Sequence, residues 1–167
     1  MKKLLFLPLV ALVACFTDWE ETSPDAEATY QPVLMERDAM IAAVKVATPR
    51  EISMPGKIYV FGNYIFLSEL FEGVHIINNA DPANPKNISF LVIPGNVDIA
   101  VQGNSLFANS ATDLISFDIS DPVNAQLLDR KENVFPEFLP PNLDYIPEVF
   151  QESQRPDNTI IVKWEKI

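Results

Sequence analysis

Short apolar runs, each ended by Gly, Asn, Asp or Pro, fill the chain from residue 57 onward. Runs of this length with these breaks are typical of antiparallel β-strands joined by tight turns. A further apolar strand ends the chain in "NTIIVKWEKI", where Trp164 is expected in the core. Before it, the pattern predicts eight strands, at 57–61, 64–69, 73–78, 87–93, 97–101, 105–109, 113–118 and 125–130.

A different spacing precedes this region, in a lead-in segment over 31–56. Apolar residues between Met40 and Val44 recur about one helical turn apart, which predicts one short helix over 36–44. Pro49 then ends the helical segment, because the residue before a proline avoids the helical conformation.

The eight strands fall into two groups of four whose turns match. Gly62-Asn63 recurs as Gly103-Asn104 after forty-one residues. Asp81-Pro82 recurs as Asp121-Pro122 after forty, so one residue is lost between the second and third strands of the second group. Gly-Asn supplies the positive φ that a tight hairpin needs, and Asp-Pro begins a turn through its carboxylate and its fixed φ.

A period of about 40–45 residues with four strands per unit is typical of β-propeller blades. A weaker match, between residues 94–98 and residues 140–144, extends the pattern. We therefore expect an all-β fold, a partial β-propeller of two to three four-stranded antiparallel blades over 57–167, with one short N-terminal helix. The alternative is an ordinary β-sandwich that contains two similar hairpins.

The length of the strand region argues that such a propeller is incomplete. Propellers close with four to eight blades, and four blades of about 40 residues need about 160. The interval from Pro55 to Ile167 holds 113 residues. We therefore expect a truncated reading frame or a fragment, with strand edges and one apolar face left unpaired.

The amino terminus resembles a bacterial export signal. Two lysines precede an apolar run over 4–14, which is shorter than the about 20 residues of a membrane-spanning helix. The run ends in "LVAC", which resembles the lipobox of bacterial lipoproteins. This resemblance implies that residues 1–14 are a lipoprotein signal peptide and that Cys15, the only cysteine, carries acyl chains such as palmitate. The alternative is an ordinary cleaved signal with an incidental cysteine.

Composition and charge narrow the partners and the location. Removal of 1–14 takes away two of the 12 basic residues and none of the 23 acidic ones, so the net charge changes from −11 to −13. The electrostatic field of such a negatively charged protein repels nucleic acid. Residues 15–30 offer little to bury and are expected to form a flexible tether. Phe16, rather than Asp, follows the cysteine, and this resembles Gram-negative lipoproteins that are exported to the outer membrane. The resemblance implies an outer-membrane location, on the cell-surface or the periplasmic face.

The third strand of each group resembles a known repeat. "VHIIN" at 74–78 and "LISFD" at 114–118 resemble the LVIVD repeat of bacterial cell-surface propeller proteins. "PGKIYVFGNYIF", "DPANPKNISFLVIPGNVDIAV" and "ENVFP" are similar to lipoproteins that carry this repeat, and the likeness spans about 30–136. Asn78 and Ala125 depart from the repeat, where Asp and Pro are usual. The resemblance implies a propeller on the cell exterior and no established chemistry.

Few residues are candidates for chemistry. His75, the only histidine, falls at a core-type strand position, so neither a zinc site nor a nucleophilic triad is predicted. Acidic and amide clusters at 78–81 and 118–121 are attributed to turns rather than to calcium. Aromatic residues in the proline-rich segment 136–156 are expected to pack on the last blade more than to bind a ligand. Two carboxylates at glycosidase spacing could act as a catalytic pair, but the five carboxylates near strand ends are expected to be solvated caps: Glu69, Glu72, Asp98, Asp113 and Asp118.

The sequence therefore assigns no catalytic, cofactor-binding or metal-binding residue, and Cys15 as the lipidation site. The expected function is a noncatalytic, lipid-anchored propeller module that recognises an extracellular protein or glycan. Two alternatives remain, a carboxylate-dependent glycan hydrolase and a structural scaffold of an envelope assembly. Fold alone does not separate these three functions.

Overall fold

The computed structural model describes residues 29–167, and the predicted signal peptide, Cys15 and most of the predicted tether lie outside them. Short 3₁₀ turns occupy Pro122–Asn124, Glu148–Phe150 and Glu152–Gln154. The helix and the strands are β1 (Tyr30–Glu36), α1 (Arg37–Ala43), β2 (Lys45–Ala47), β3 (Pro55–Phe61), β4 (Tyr64–Glu69), β5 (Gly73–Asn78), β6 (Lys86–Val92), β7 (Ile99–Gln102), β8 (Ser105–Ser110), β9 (Asp113–Asp118), β10 (Gln126–Lys131) and β11 (Thr159–Lys166).

The described chain is mostly β-structure, in three antiparallel sheets of which none is closed. The first sheet has the order β2-β6-β5-β4-β3, and the second has the order β10-β9-β8-β7. Each therefore contains one meander of four consecutive strands, and β2 adds a fifth strand to the first. The third sheet pairs β1 with β11. The expectation of an all-β fold with one short helix is confirmed at this level.

The local predictions agree closely with the structure. All eight predicted strands are present with ends shifted by at most two residues, and the helix is one residue shorter at each end than predicted. Strands β1 and β2 were not predicted. The first contains Pro32 and forms only by pairing with β11, more than a hundred residues away, and the second is a three-residue edge strand.

The backbone of the second meander repeats that of the first at its turns. Gly62 and Gly103 have φ of 57° and 56°, the left-handed conformation that the Gly-Asn turns were expected to need. Phe71 and Ala111, forty residues apart in the two following turns, also have positive φ, 66° and 50°. Two non-glycine residues in this uncommon region at matching places show that the two groups of strands have equivalent turns.

The loops that follow the third strands also match. The amide of Asn79 donates to the carbonyl of Asn63 at 2.7 Å, and the amide of Ile119 donates to that of Asn104 at 2.8 Å. The weaker match of residues 94–98 with 140–144 is wrong as a structural repeat. The first stretch leads directly into β7, whereas the second leads into an irregular segment with no strand before β11.

The main core lies between the two meanders. Because side chains alternate along a strand, one face of each sheet supplies it. Full burial of a large apolar side chain stabilises by about 1.5–3 kcal/mol, so this layer dominates the packing. Its fully buried members include Phe66, Val74, Ile76, Leu91, Leu106, Ile115 and Phe117.

A second, smaller core joins the third sheet to the turn end of the second meander. Met40 of α1 packs there with Ala111 and Ile160. Trp164 is 8% exposed, as expected of a core residue, and its Nε1 donates to the carbonyl of Phe138 at 2.8 Å. Thus the N-terminal helix, the irregular segment and β11 cover one end of the stacked sheets.

We predict that Gly73→Ala lowers the free energy of unfolding by about 2–3 kcal/mol. Gly73 has φ of +149°, and an added Cβ would lie 1.9 Å from the carbonyl oxygen of Leu91, so β5 and β6 would have to separate. Gly62→Asn is the matched control, because nothing lies within 4 Å of its Cβ position and asparagine tolerates left-handed backbone. Chemical denaturation measures both, and equal losses would contradict the register described here.

Candidate functional site

Glu69 and His75 form a buried polar pair on the face of the first sheet that points away from the second. Leu67 is paired with His75 and Glu69 with Gly73 across β4 and β5, so alternate side chains place the two groups on one face. The imidazole Nε2 lies 3.1 Å from Glu69 Oε2, and both side chains are almost fully buried. His75 thus has the structural position that the sequence predicted, but with a charged partner that the sequence did not reveal.

The Glu69 carboxylate binds the chain that precedes β3. Its oxygens accept hydrogen bonds from the backbone amides of Ser53 and Met54. Burial raises the pKa of Glu69, but the amides of Met54 and Ser53 and the contact with His75 together hold that pKa below its usual value. Glu69 therefore acts as an ionised anchor for the segment that crosses the sheet.

His75 is held on both ring nitrogens. Its Nδ1 lies 3.1 Å from the amide nitrogen of Asn87, which also donates to the carbonyl of Arg50 at 2.8 Å. Since Asn87 Nδ2 can only donate, the hydrogen-bond geometry places the imidazole proton on Nε2, toward Glu69. The ring of Phe90 lies against the imidazole with centroids 4.7 Å apart. Both nitrogens are engaged, so His75 is not placed to transfer a proton to a ligand.

Asp113 forms the corresponding anchor in the second sheet. Its side chain is fully buried, and its oxygens accept from Arg37 at 2.6 Å and from Arg130 at 2.7 Å. The backbone amide of Asn133 donates to it at 3.1 Å. Burial raises the pKa of Asp113, but the hydrogen bonds from Arg130, Asn133 and Arg37 outweigh burial and hold the pKa below its usual value. Asp113 therefore joins the start of α1 to the end of the second meander.

The two buried carboxylates belong to equivalent cross-strand pairs of the two units, but they lie on opposite strands of the pair. Glu69 pairs with Gly73 in the first sheet, and Asp113 pairs with Ser110 in the second. The expectation that these two are solvated caps is wrong, because they are 1% and 0% exposed. Strand alternation was the signal that could have revealed Glu69, since it places this residue on the side of His75. The arginine partners of Asp113 lie too far along the chain for a similar inference.

The acidic and amide clusters that were attributed to turns rather than to calcium form hydrogen bonds within their own turns. Asp81 accepts from the Ala83 amide at 3.1 Å and from Asn84 Nδ2 at 2.9 Å, and these contacts lower the pKa of Asp81. Asp121 makes the same two contacts forty residues later, with Val123 and Asn124. Within residues 29–167, no group of three or more His, Cys, Asp or Glu side chains is arranged to hold a metal ion. The attribution of these residues to turns is confirmed for Asp81 and Asp121.

Two open cavities flank the segment that follows β10. One, of about 340 Å³, is mainly apolar and lies on the outer face of the second sheet, against Phe107, Leu114 and Phe135. The other, of about 350 Å³, is polar and includes Arg37 and Glu137. Both oxygens of Glu137 are bound by Arg155, at 2.8 and 3.0 Å. In these two cavities, neither Glu69 nor Asp113 contributes to the lining.

The aromatic side chains of segment 136–156 divide between core and surface. Phe138 packs edge-on against Phe71 with ring centroids 5.7 Å apart, and Phe150 packs likewise against Trp164. Tyr145 is 40% exposed. Packing on the body of the protein is thus confirmed for two of these rings.

Comparison of the chain with protein-family models, with curated proteins and with solved structures finds no match in any of the three. Between residues 29 and 167, no helix is long and apolar enough to cross a membrane. Cys15, the predicted lipidation site, lies outside the described residues. The LVIVD resemblance and the lipid anchor therefore remain predictions from the sequence.

We predict that acid destabilises the protein through Asp113. Because its pKa is lowered by folding, the stabilisation is fully present above the unfolded aspartate pKa of about 3.9 and is lost as the pH falls through the lower folded value. Asp113→Asn removes this part of the pH dependence. It also costs about 3–5 kcal/mol, because Arg37 and Arg130 lose the carboxylate between them.

Denaturant unfolding at several pH values tests this prediction, with the exposed Asp129→Asn as control. The control is expected to change stability by no more than about 0.5 kcal/mol. If Asp113→Asn does not fold, the carboxyl carbon of Asp113 in the unmodified protein is titrated by NMR instead. An Asp113 midpoint at or above about 3.9 would refute the anchor role.

Proposed function

We propose that this chain is a noncatalytic, lipid-anchored envelope protein whose two meanders are β-propeller blades of the LVIVD type, used to recognise a protein or glycan. The observation that carries this proposal is the repeated four-stranded unit. Its strands, left-handed turn residues and Asp-Pro loops recur at intervals of forty and forty-one residues. A period of about 40–45 residues is that of propeller blades.

The contact between the sheets supports the blade interpretation. The first strands of the two units, β3 and β7, contact each other, and Lys57 Nζ lies 2.6 Å from Asp98 Oδ1 between them. In a propeller the first strands of neighbouring blades lie together near the axis in the same way. The third sheet, β1 with β11, packs at the turn end of the second meander, next to Ala111.

The free end of the stack supports recognition as the role. In each unit the Gly-Asn turn and the loop after the third strand lie together, joined by a backbone hydrogen bond from Asn79 to Asn63 or from Ile119 to Asn104. Residues 80–86 are all exposed. The opposite end is covered by α1 and by Phe138. Exposed loops at one end of a rigid scaffold are the usual place for binding residues.

The buried carboxylates support a noncatalytic role over the hydrolase alternative. A glycosidase needs two carboxyl groups about 5–9.5 Å apart on either side of a substrate. Glu69 and Asp113 are instead enclosed and fully engaged by structural partners. The scaffold alternative differs only in whether the free rim binds a ligand.

We predict that Cys15→Ala releases the protein from the membrane fraction and abolishes labelling by radioactive palmitate. A single acyl chain binds a membrane only marginally, whereas several chains hold it firmly, so loss of the acylated cysteine removes the anchor. Tyr145→Ala, an exposed change far along the chain, is the control and should leave labelling intact. Palmitate labelling that persists in Cys15→Ala would refute the anchor.

We predict that Val123→Arg abolishes any binding that the acylated protein shows on an array of glycans or to cell-surface proteins. Val123 is 48% exposed on the 3₁₀ turn of the free rim, where an arginine would obstruct a ligand. Val149→Arg is the matched control, since Val149 is 55% exposed on a 3₁₀ turn outside the rim. Equal binding by the two variants would exclude the rim as the recognition surface.

A further inference from the structure

Each of the two sheet faces that pack together inside the stack has a counterpart on the outside of the other sheet, and part of each counterpart is exposed. In the second sheet Ile99 and Val101 are 2% and 7% exposed, because they point at the first sheet. Ile58 and Val60, forty-one residues earlier and at the same strand positions, are 61% and 62% exposed. The β3 side of the outer face of the first sheet therefore leaves open the pattern that the second sheet buries, whereas the segment before β3 covers the part around Glu69 and His75.

The converse holds at the other side of the stack. Phe66 and Val74, on the inner face of the first sheet, are fully buried. Their counterparts in the second sheet, Phe107 and Leu114, lie on its outer face and are partly exposed beside the cavity of about 340 Å³. Ala100, paired with Phe107, is exposed on the same face. Contiguous exposed apolar residues of this kind mark interaction sites.

We propose that a second copy of this chain docks head to tail, with the outer face of its first sheet on the outer face of the second sheet of its neighbour. The interface would repeat the packing at the β3 and β7 side of the two sheets, with Ile58 and Val60 entering the cavity beside Phe107 and Leu114. This inference rests on the proposed blade interpretation of the two sheets. Such a heterologous contact closes into a ring where the rotation between sheets permits, or continues as a filament.

Charge complementarity selects this arrangement over a two-fold one. Lys57 and Asp98 occupy equivalent positions forty-one residues apart, are 49% and 66% exposed at the side chain, and pair at 2.6 Å between the sheets of one chain. Head-to-tail docking repeats this contact, because it brings Asp98 of one copy beside Lys57 of the next. A two-fold contact would pair the same face of both copies, so it would not repeat the contact between β3 and β7.

The equivalence of positions forty-one residues apart in the two sheets predicts which residues of two copies a cross-linker would join. Tyr59 and Val101 belong to the one apolar cluster between the two sheets. Their counterparts on the open faces are Ala100 and Val60. A copy with Val60→Cys should therefore cross-link to a copy with Ala100→Cys, and both substitutions are small changes at exposed positions.

The experiment uses the full chain with Cys15→Ala, so that no native thiol remains. Single-cysteine proteins are mixed in detergent and treated with a short bismaleimide. We expect a cross-linked dimer from the mixture of Val60→Cys with Ala100→Cys, and none from either protein alone. Val149→Cys, mixed with each, is the control for random collision.

Three outcomes would overturn the proposal. A dimer from Val60→Cys alone or Ala100→Cys alone indicates a two-fold contact. A yield in the mixture equal to that of the Val149→Cys control indicates collision only. A monomeric mass at every concentration, measured by light scattering on the unmodified protein, assigns the open faces to another occupant. If the cross-link fails while palmitate labels Cys15 in the unmodified protein, the docking inference is wrong and the proposed anchored function stands.

Discussion

The structure depends on one apolar layer shared by two four-stranded meanders. Side chains alternate along each strand, so a one-residue slip in the register of a strand would turn its buried side chains to the opposite face of the sheet. Phe66, Ile76 and Phe117 are examples of such buried side chains. The described residues contain no cysteine, so no disulfide assists this layer. The matched turns fix the register on both sides, and the sheets therefore pack as two versions of one unit.

Buried ion pairs, strand pairing and the smaller apolar core together attach the chain outside the meanders. Glu69 holds the segment before β3, and Asp113 holds α1 and the turn after β10. Both carboxylates lie at the same end of the stack, beside the turns with the left-handed residues Phe71 and Ala111. These attachments cover that end and leave the rim with the Gly-Asn turns and Asp-Pro loops open, which is why the proposed recognition surface lies there.

Local features were predictable from the sequence, and contacts between distant segments were not. Turn chemistry and strand alternation gave the eight strands, the repeat and the structural position of His75 correctly. Strand β1 was missed because it exists only through pairing with β11, and Asp113 was misjudged because its partners Arg37 and Arg130 come from other elements. The predicted repeat of 94–98 at 140–144 was wrong, because 94–98 leads into strand β7 whereas no strand directly follows 140–144.

The most direct test of the central claim is a methyl NOE spectrum of the full chain, which reports side chains that lie within van der Waals reach of each other. Packing of the two meanders on one layer predicts contacts between methyl groups of Val74 or Ile76 and those of Leu106 or Ile115. A spectrum in which every methyl contact stays within a single meander would contradict the shared layer and the repeat-based proposals built on it.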